Sequence, residues 1–128
     1  MTIRFNTAQR NSIVTALTGE LAGATLSIYT GTQPADPNAA ATGTKLVDVY
    51  INGFVAPTTG SATLDTASPN VGDAVASGTA GWGRIVHLNG SIDGTVGTSG
   101  TDFTINSTSI TSGATVTLTA MTVTQPAS

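Results

Sequence analysis

Residues 6–22 carry the one pattern of apolar residues in the chain that is typical of a helix. Its apolar positions recur at steps of four and are Ile13, Leu17 and Leu21. Asn6 is followed three residues later by Gln9, a spacing typical of a helix N-cap, and Gly23 is a stop signal. We therefore predict one N-terminal helix on which Arg10, Thr18 and Glu20 face solvent or a neighbour. The helix would cover a sheet, or it would dock on another subunit.

Alternation of apolar and polar residues, which is typical of half-buried strands, recurs through the rest of the chain. It predicts strands at residues 25–30, 45–51, 61–66, 81–88, 91–97, 102–106 and 114–124. In the last strand the alternation changes phase. This change predicts a β-bulge near Ala120 or a strand that is buried on both faces.

Two Asn-Gly pairs predict tight hairpin turns, because Asn and Gly accept the positive φ angles of a type I′ turn. The first pair is Asn52-Gly53, after which residues 54–56 would return as a strand. The second pair is Asn89-Gly90, which lies between two strongly patterned strands. We expect a hairpin at each pair.

The predicted elements form a single domain, residues 1–128, in which an arm and a helix (1–24) precede a β-sandwich (25–128). Many short strands and one helix favour a mainly β fold, an antiparallel β-sandwich or small barrel with a jelly-roll-like topology as one form. Residues 67–73 read as a connection. Residues 31–44, with two prolines and two glycines, predict a long loop that is either a partner-contacting arm or a passive surface.

Composition limits what the chain can bind. More than half of the residues are Ala, Gly, Ser or Thr, and charged residues make up 9% of the chain, compared with about 25% in a typical soluble domain. The four basic residues are scattered, which argues against a nucleic-acid partner. No signal-peptide pattern or long apolar run occurs, so we expect synthesis in the cytosol and no membrane partner.

The chain offers few side chains for chemistry. It has no cysteine, and the single histidine, His87, reads as a strand-surface residue between Val86 and Leu88. The aspartates lie singly, mostly beside turn residues. We therefore expect no catalytic residue, no metal site and no cofactor. Trp82 is read as an inward core anchor, or as a residue that stacks with Arg84 on one strand face.

Five segments resemble small virion proteins of tailed bacteriophages and prophages. They are Thr2-Ile-Arg-Phe-Asn-Thr-Ala-Gln-Arg-Asn, Ile28-Tyr-Thr-Gly-Thr-Gln-Pro-Ala, Ser77-Gly-Thr-Ala-Gly-Trp-Gly-Arg-Ile-Val, Gly94-Thr-Val-Gly-Thr-Ser-Gly-Thr-Asp and Ser112-Gly-Ala-Thr-Val-Thr-Leu-Thr. The resemblance spans nearly the whole chain. It implies a non-enzymatic structural component of the particle, a capsid decoration (cement) protein on the head, and it leaves tail and fibre locations open.

The expected partners are the major capsid protein and neighbouring copies of the chain, as a homo-oligomer with a trimer as one form. The alternatives are a tail-tube or fibre-associated virion protein and a host-surface or glycan-binding adhesin module. Two segments are expected to make the contacts, the N-terminal arm (2–6) and part of the long loop (31–44). Their residues are Thr2, Ile3, Arg4, Phe5, Asn6, Gln33, Pro34, Ala35, Asp36, Pro37 and Asn38.

Overall fold

The computed structural model describes residues 3–87 and 90–126. Its helix and strands, in chain order, are α1 (Thr7–Leu21), β1 (Thr25–Thr30), β2 (Lys45–Tyr50), β3 (Ser61–Thr63), β4 (Val71–Asp73), β5 (Gly78–His87), β6 (Gly90–Gly97), β7 (Phe103–Ile105), β8 (Ser109–Ile110) and β9 (Thr115–Thr124). The mainly β class with one N-terminal helix is confirmed for this part of the chain.

Helix α1 begins where the cap predicts. The Asn6 side chain accepts a hydrogen bond of 2.9 Å from the backbone N–H of Gln9, which satisfies a donor that the first helical turn would leave unpaired. The helix buries Val14, Thr18 and Leu21. The predicted exposure of Thr18 is therefore wrong. Its hydroxyl donates to the Thr15 carbonyl at 3.3 Å, so it needs no water when the helix packs.

The nine strands of the described residues form one sheet in the order β2-β1-β5-β6-β7-β9-β3, with β4 paired to β9 and β8 paired to β5. All these pairs are antiparallel except β6 with β7, which run parallel. The sheet curls into a half-barrel. The curvature lets one sheet enclose a core with α1 packed against it.

Strand β4 lies between the two ends of the curled sheet. It pairs with β9, and its Gly72 also meets β2 so closely that an added Cβ would lie 1.9 Å from the Asp48 carbonyl oxygen. Just beyond β4, the backbone N–H of Val75 donates to the Leu46 carbonyl at 2.8 Å. Only glycine allows this backbone approach, so Gly72 is required to bring β4 against β2.

The core is aliphatic and lies inside the curl. Its fully buried side chains of the described residues include Leu21 of α1 and residues from most strands, among them Leu26, Ile28, Leu46, Val49, Ile85, Phe103, Ile105 and Leu118. Leu17 packs against this cluster from the helix. Burial of such side chains contributes about 1.5–3 kcal/mol each, so this cluster is the main source of the stability of the domain.

The predicted β-bulge in the last strand is confirmed. In the ladder between β7 and β9, Thr104 pairs with Ala120 but Ile105 pairs with Leu118, which leaves Thr119 as the extra residue. The bulge returns the later apolar positions to the core side, and Met121 is buried together with Leu118.

The hairpin predicted at Asn52-Gly53 is wrong. Strand β2 pairs with β1, and residue 54 bridges to Leu64 and not back to β2. Asn52 does not take the positive φ that a type I′ turn needs. Its backbone N–H donates instead to Oδ1 of the buried Asn70 at 2.7 Å, and its side chain donates to the Pro69 carbonyl. Asn52 therefore anchors the 69–70 connection.

The second predicted hairpin is confirmed as a strand pair. Strands β5 and β6 are antiparallel from Trp82 opposite Thr95 to His87 opposite Gly90, which places Gly90 in the strand. Asn89, the other residue of the predicted turn, lies outside the described residues. Residues 67–73, which were predicted as a connection, end in the short strand β4.

Candidate partner-contact surfaces

The long loop leaves the sheet at Thr30 and rejoins it at Thr44, and these two residues are hydrogen-bonded to each other. The backbone N–H of Thr30 donates to the Thr44 carbonyl at 3.1 Å, and the N–H of Thr44 donates to the Thr30 hydroxyl at 2.9 Å. Gly43 takes φ +83°, and a Cβ there would lie 2.2 Å from the Thr30 carbonyl oxygen. The loop therefore has closed ends, as in Ω-loops, which are frequently functional.

An aromatic and charged cluster, the outer cluster (Tyr29, Trp82, Arg84 and Asp93), lies on the face of the sheet away from the core. The rings of Tyr29 and Trp82 stack with centroids 4.7 Å apart and an interplanar angle of 16°. The guanidinium carbon of Arg84 lies 5.3 Å from the centroid of the Trp82 ring, within cation–π range. Trp82 is fully buried without belonging to the core.

Arg84 and Asp93 form the charged part of the outer cluster. Arg84 Nε donates to Asp93 Oδ1 at 2.6 Å and Nη2 donates to Oδ2 at 2.9 Å, a bidentate pair whose side chains are 10% and 2% exposed. The hydrogen bonds that Arg84 donates to Asp93 raise the pKa of Arg84 above its ordinary value, against the opposing effect of burial. Removing either side chain would leave the other charge buried without its partner, which is strongly destabilising.

The long loop is fastened to this face of the sheet. Arg84 Nη1 donates to the Ala39 carbonyl at 2.6 Å, and the Ser91 hydroxyl donates to the Pro37 carbonyl at 2.8 Å. Within the loop, the Asp36 side chain accepts from the N–H of Asn38 at 2.8 Å, a local Asx turn. The loop thus folds back against the face of the sheet that carries the outer cluster.

The predicted contact residues of the loop differ in exposure. Gln33 and Pro34 are half-buried, whereas the exposed ones are Ala35, Asp36, Pro37 and Asn38. A fixed loop therefore presents these exposed residues to solvent.

The N-terminal arm is held differently. Thr2 lies outside the described residues, Ile3 is 77% exposed, Arg4 is exposed and Phe5 is half-buried. Asn6 caps α1, which packs on the core side of the sheet. Among the described residues, no hydrogen bond joins the arm to residues 33–38.

Two single-residue interpretations need correction. Trp82 is buried but lies outside the hydrophobic core cluster, so it is not a core anchor. The alternative interpretation is confirmed, because residues 82 and 84 share the face of β5 opposite Ile85 and the Arg84 guanidinium lies over the Trp82 ring. His87 is not a strand-surface residue, since its side chain is 8% exposed and its Nδ1 lies 3.3 Å from Glu20 Oε2. The helix covers His87. The alternation of residues along β5 could not predict this burial, because the helix is a distant part of the chain.

Sequence reasoning missed a groove beside α1, which we call the helix groove. It has a volume of about 470 Å³, and its walls include Gly19 of α1, the C-cap residue Ala22, the segment 54–57 and Asp65. Val55 in this segment is 53% exposed. The groove joins parts of the chain that are far apart in sequence, so no local pattern could have predicted it.

Other kinds of site receive little support from the described residues. Among residues 3–87 and 90–126, no group of three or more His, Cys, Asp or Glu side chains could hold a metal ion. No helix in the same part of the chain is long and apolar enough to cross a membrane. Comparison of the chain with protein-family models, with curated proteins and with solved structures found no match.

Proposed function

We propose that this chain is a non-enzymatic structural protein of a tailed-phage virion, a decoration protein that binds the major capsid protein lattice on the capsid surface and associates with neighbouring copies. The segment resemblance supplies the class of protein. The structural observation that carries the proposal is the long loop, whose exposed residues are already held by Arg84 and Ser91. A preorganised surface loses little conformational entropy when it binds.

The surface chemistry of the loop fits a protein partner. Ala35, Pro37 and Ala39 are exposed, and Asp36 is the one charged residue in 31–44. Little charge must be desolvated when such a surface is covered. A weak contact of this kind becomes strong when an associated set of copies binds a repeating lattice, because each further contact is made at high effective concentration.

The glycan-binding alternative loses its best candidate residue. Trp82 is fully buried and stacks on Tyr29, so its ring offers no face to a sugar. Tyr50, 51% exposed, is the one large aromatic side chain of the described residues with at least half its surface exposed. A tail location shares the fold and surface, and copy number separates it from the head.

Copy number in purified particles tests the proposal. We expect hundreds of copies per particle by quantitative mass spectrometry, as a shell lattice requires; dozens or fewer would place the protein in the tail, and absence would refute the virion role. On heads assembled without the protein, Ala35→Glu should lower occupancy several-fold, because it puts a charge on the exposed loop. Thr58→Glu, an exposed change beside β3, is the matched control and should bind normally.

A further inference from the structure

The helix groove is a largely apolar surface that the fold leaves uncovered. Its outer wall is the irregular segment 54–57, in which Phe54 is half-buried, Val55 is 53% exposed and Pro57 is half-buried. Its other wall is the C-terminal half of α1. Pro57 has no backbone N–H, so this wall is poorly suited to receive an added β-strand. The groove is suited to an apolar side chain on an extended segment.

Gly19 on the helix wall has no explanation within one copy of the chain. Its φ is not positive, and an added Cβ would meet nothing within 4 Å. A glycine inside a helix costs about 1 kcal/mol relative to alanine. Because Gly19 has no side chain and nothing lies beside it, a second backbone can approach the helix closely at this position.

We propose that the helix groove binds the N-terminal arm of a second copy of this chain, with Ile3 against Val55 and Arg4 beside Asp65. Ile3 is the most exposed large apolar side chain of the described residues, at 77%. Arg4 and Asp65 are complementary in charge, and neither takes part in the ion pairs found among described residues. Asp65 also accepts the N–H of Ala67 at 2.9 Å, which fixes its carboxylate in the groove wall.

Geometry favours a second copy over the arm's own groove. On the helix side, the residues that line the groove run from Thr15 to the C-cap Ala22, which at about 1.5 Å per residue lie roughly 13–24 Å along the axis from Asn6. The segment from Ile3 to Asn6 spans at most about 10 Å when fully extended. An arm of this length stops short of its own groove, but it can fill the groove of a neighbouring copy.

Arm exchange of this kind closes in two ways. Two copies that exchange arms reciprocally form a dimer with two-fold symmetry, and copies that pass their arms in one direction form a ring. The inference deepens the self-association part of the proposed function and rests on that part. The arm would then bind a neighbouring copy, which leaves the long loop for the capsid lattice.

Disulfide trapping tests the arm exchange without background, because the chain contains no cysteine. One preparation carries Ile3→Cys and the other carries Val55→Cys with a C-terminal tag that changes its mass. Both positions are exposed, and circular dichroism checks that the fold is unchanged. After mixing and mild oxidation we expect a mixed disulfide dimer, since bonding requires the two Cβ atoms to lie about 3.5–4.5 Å apart.

Matched variants decide between the outcomes. Val86→Cys, 68% exposed on another surface, should give no more product with Ile3→Cys than random collision. Adding Arg4→Glu to the Ile3→Cys chain should lower the yield several-fold, because Asp65 would then face a like charge. A disulfide within single chains carrying both cysteines would overturn the proposal, as would a monomeric unsubstituted chain by light scattering. Copy number in particles is measured separately, so either proposal can fail alone.

Discussion

The long loop and the N-terminal arm lack regular structure and are largely exposed, yet the fold holds them in different ways. The loop is closed at its base by Thr30 and Thr44 and is fastened to the sheet by Arg84 and Ser91. The arm ends at Asn6, which caps α1, and Ile3, three residues before the cap, is 77% exposed. Exposed residues can therefore be fastened to the sheet by specific hydrogen bonds, as those of the loop are. In the arm, Ile3 is the most exposed large apolar side chain of the described residues.

Removing Arg84 should have the largest effect on this contrast, because it should release the loop from the sheet. We expect Arg84→Ala to lower the free energy of unfolding by about 3–5 kcal/mol, because it leaves the buried Asp93 carboxylate unpaired. It should also speed amide hydrogen exchange of residues 33–42, because the bond to the Ala39 carbonyl is lost. Urea unfolding and exchange mass spectrometry measure the two effects.

Lys45→Ala is the matched control for Arg84→Ala. Its ion pair with Asp48 is about half exposed, with side chains 46% and 48% exposed, and such pairs contribute about 0–1 kcal/mol. If both variants lost the same free energy of unfolding and showed the same amide exchange in residues 33–42, the Arg84–Asp93 pair would not be what fastens the loop.

A single methyl group tests the loop base. In Gly81→Ala the new Cβ would lie 2.0 Å from the Gly31 carbonyl oxygen, so the first residue of the loop must move off β5. We expect a loss of about 1–3 kcal/mol in urea unfolding, the range for overpacked sites, with faster exchange in the loop. Gly19→Ala, the same change where nothing lies within 4 Å, should instead stabilise the chain by about 1 kcal/mol.

The arm should give the smallest effects. Asn6→Ala removes the cap bond to the Gln9 N–H and should cost about 1 kcal/mol in thermal unfolding, without changing amide exchange in residues 33–42. Ile3→Ala should change the stability of the single chain by less than about 0.5 kcal/mol, as expected for an exposed side chain. A larger loss for Ile3→Ala in dilute protein would mean that the arm packs on its own copy.

Features set by neighbours in sequence could be predicted. Asn6 caps α1 because its partner N–H is three residues away, and the bulge at Thr119 follows from a change of phase within one strand. Asn52-Gly53 shows where local reasoning fails. This dipeptide favours a hairpin, but the backbone N–H of Asn52 instead donates to the side chain of Asn70, 18 residues away. The need of the buried Asn70 amide for hydrogen-bond partners outweighs the local preference for a turn.

The candidate contact surfaces divide in the same way. The sequence located residues 2–6 and 31–44 as segments without regular structure, because proline, glycine and the helix cap act locally. It could not show that the loop lies back on the outer cluster, because Arg84 reaches the Ala39 carbonyl across 45 positions. Nor could it show the helix groove, whose walls come from α1 and the 54–57 segment.

The sequence by itself determined the mainly β class, the single helix near its start and the approximate positions of most strands, because periodicity and caps depend on residues a few positions apart. The tertiary structure decided which surfaces are available to a partner. It buried Trp82, fixed the long loop and left Ile3 and the helix groove exposed. These outcomes depend on contacts between distant segments, and such contacts exist only after the sheet has curled and the helix has packed on it.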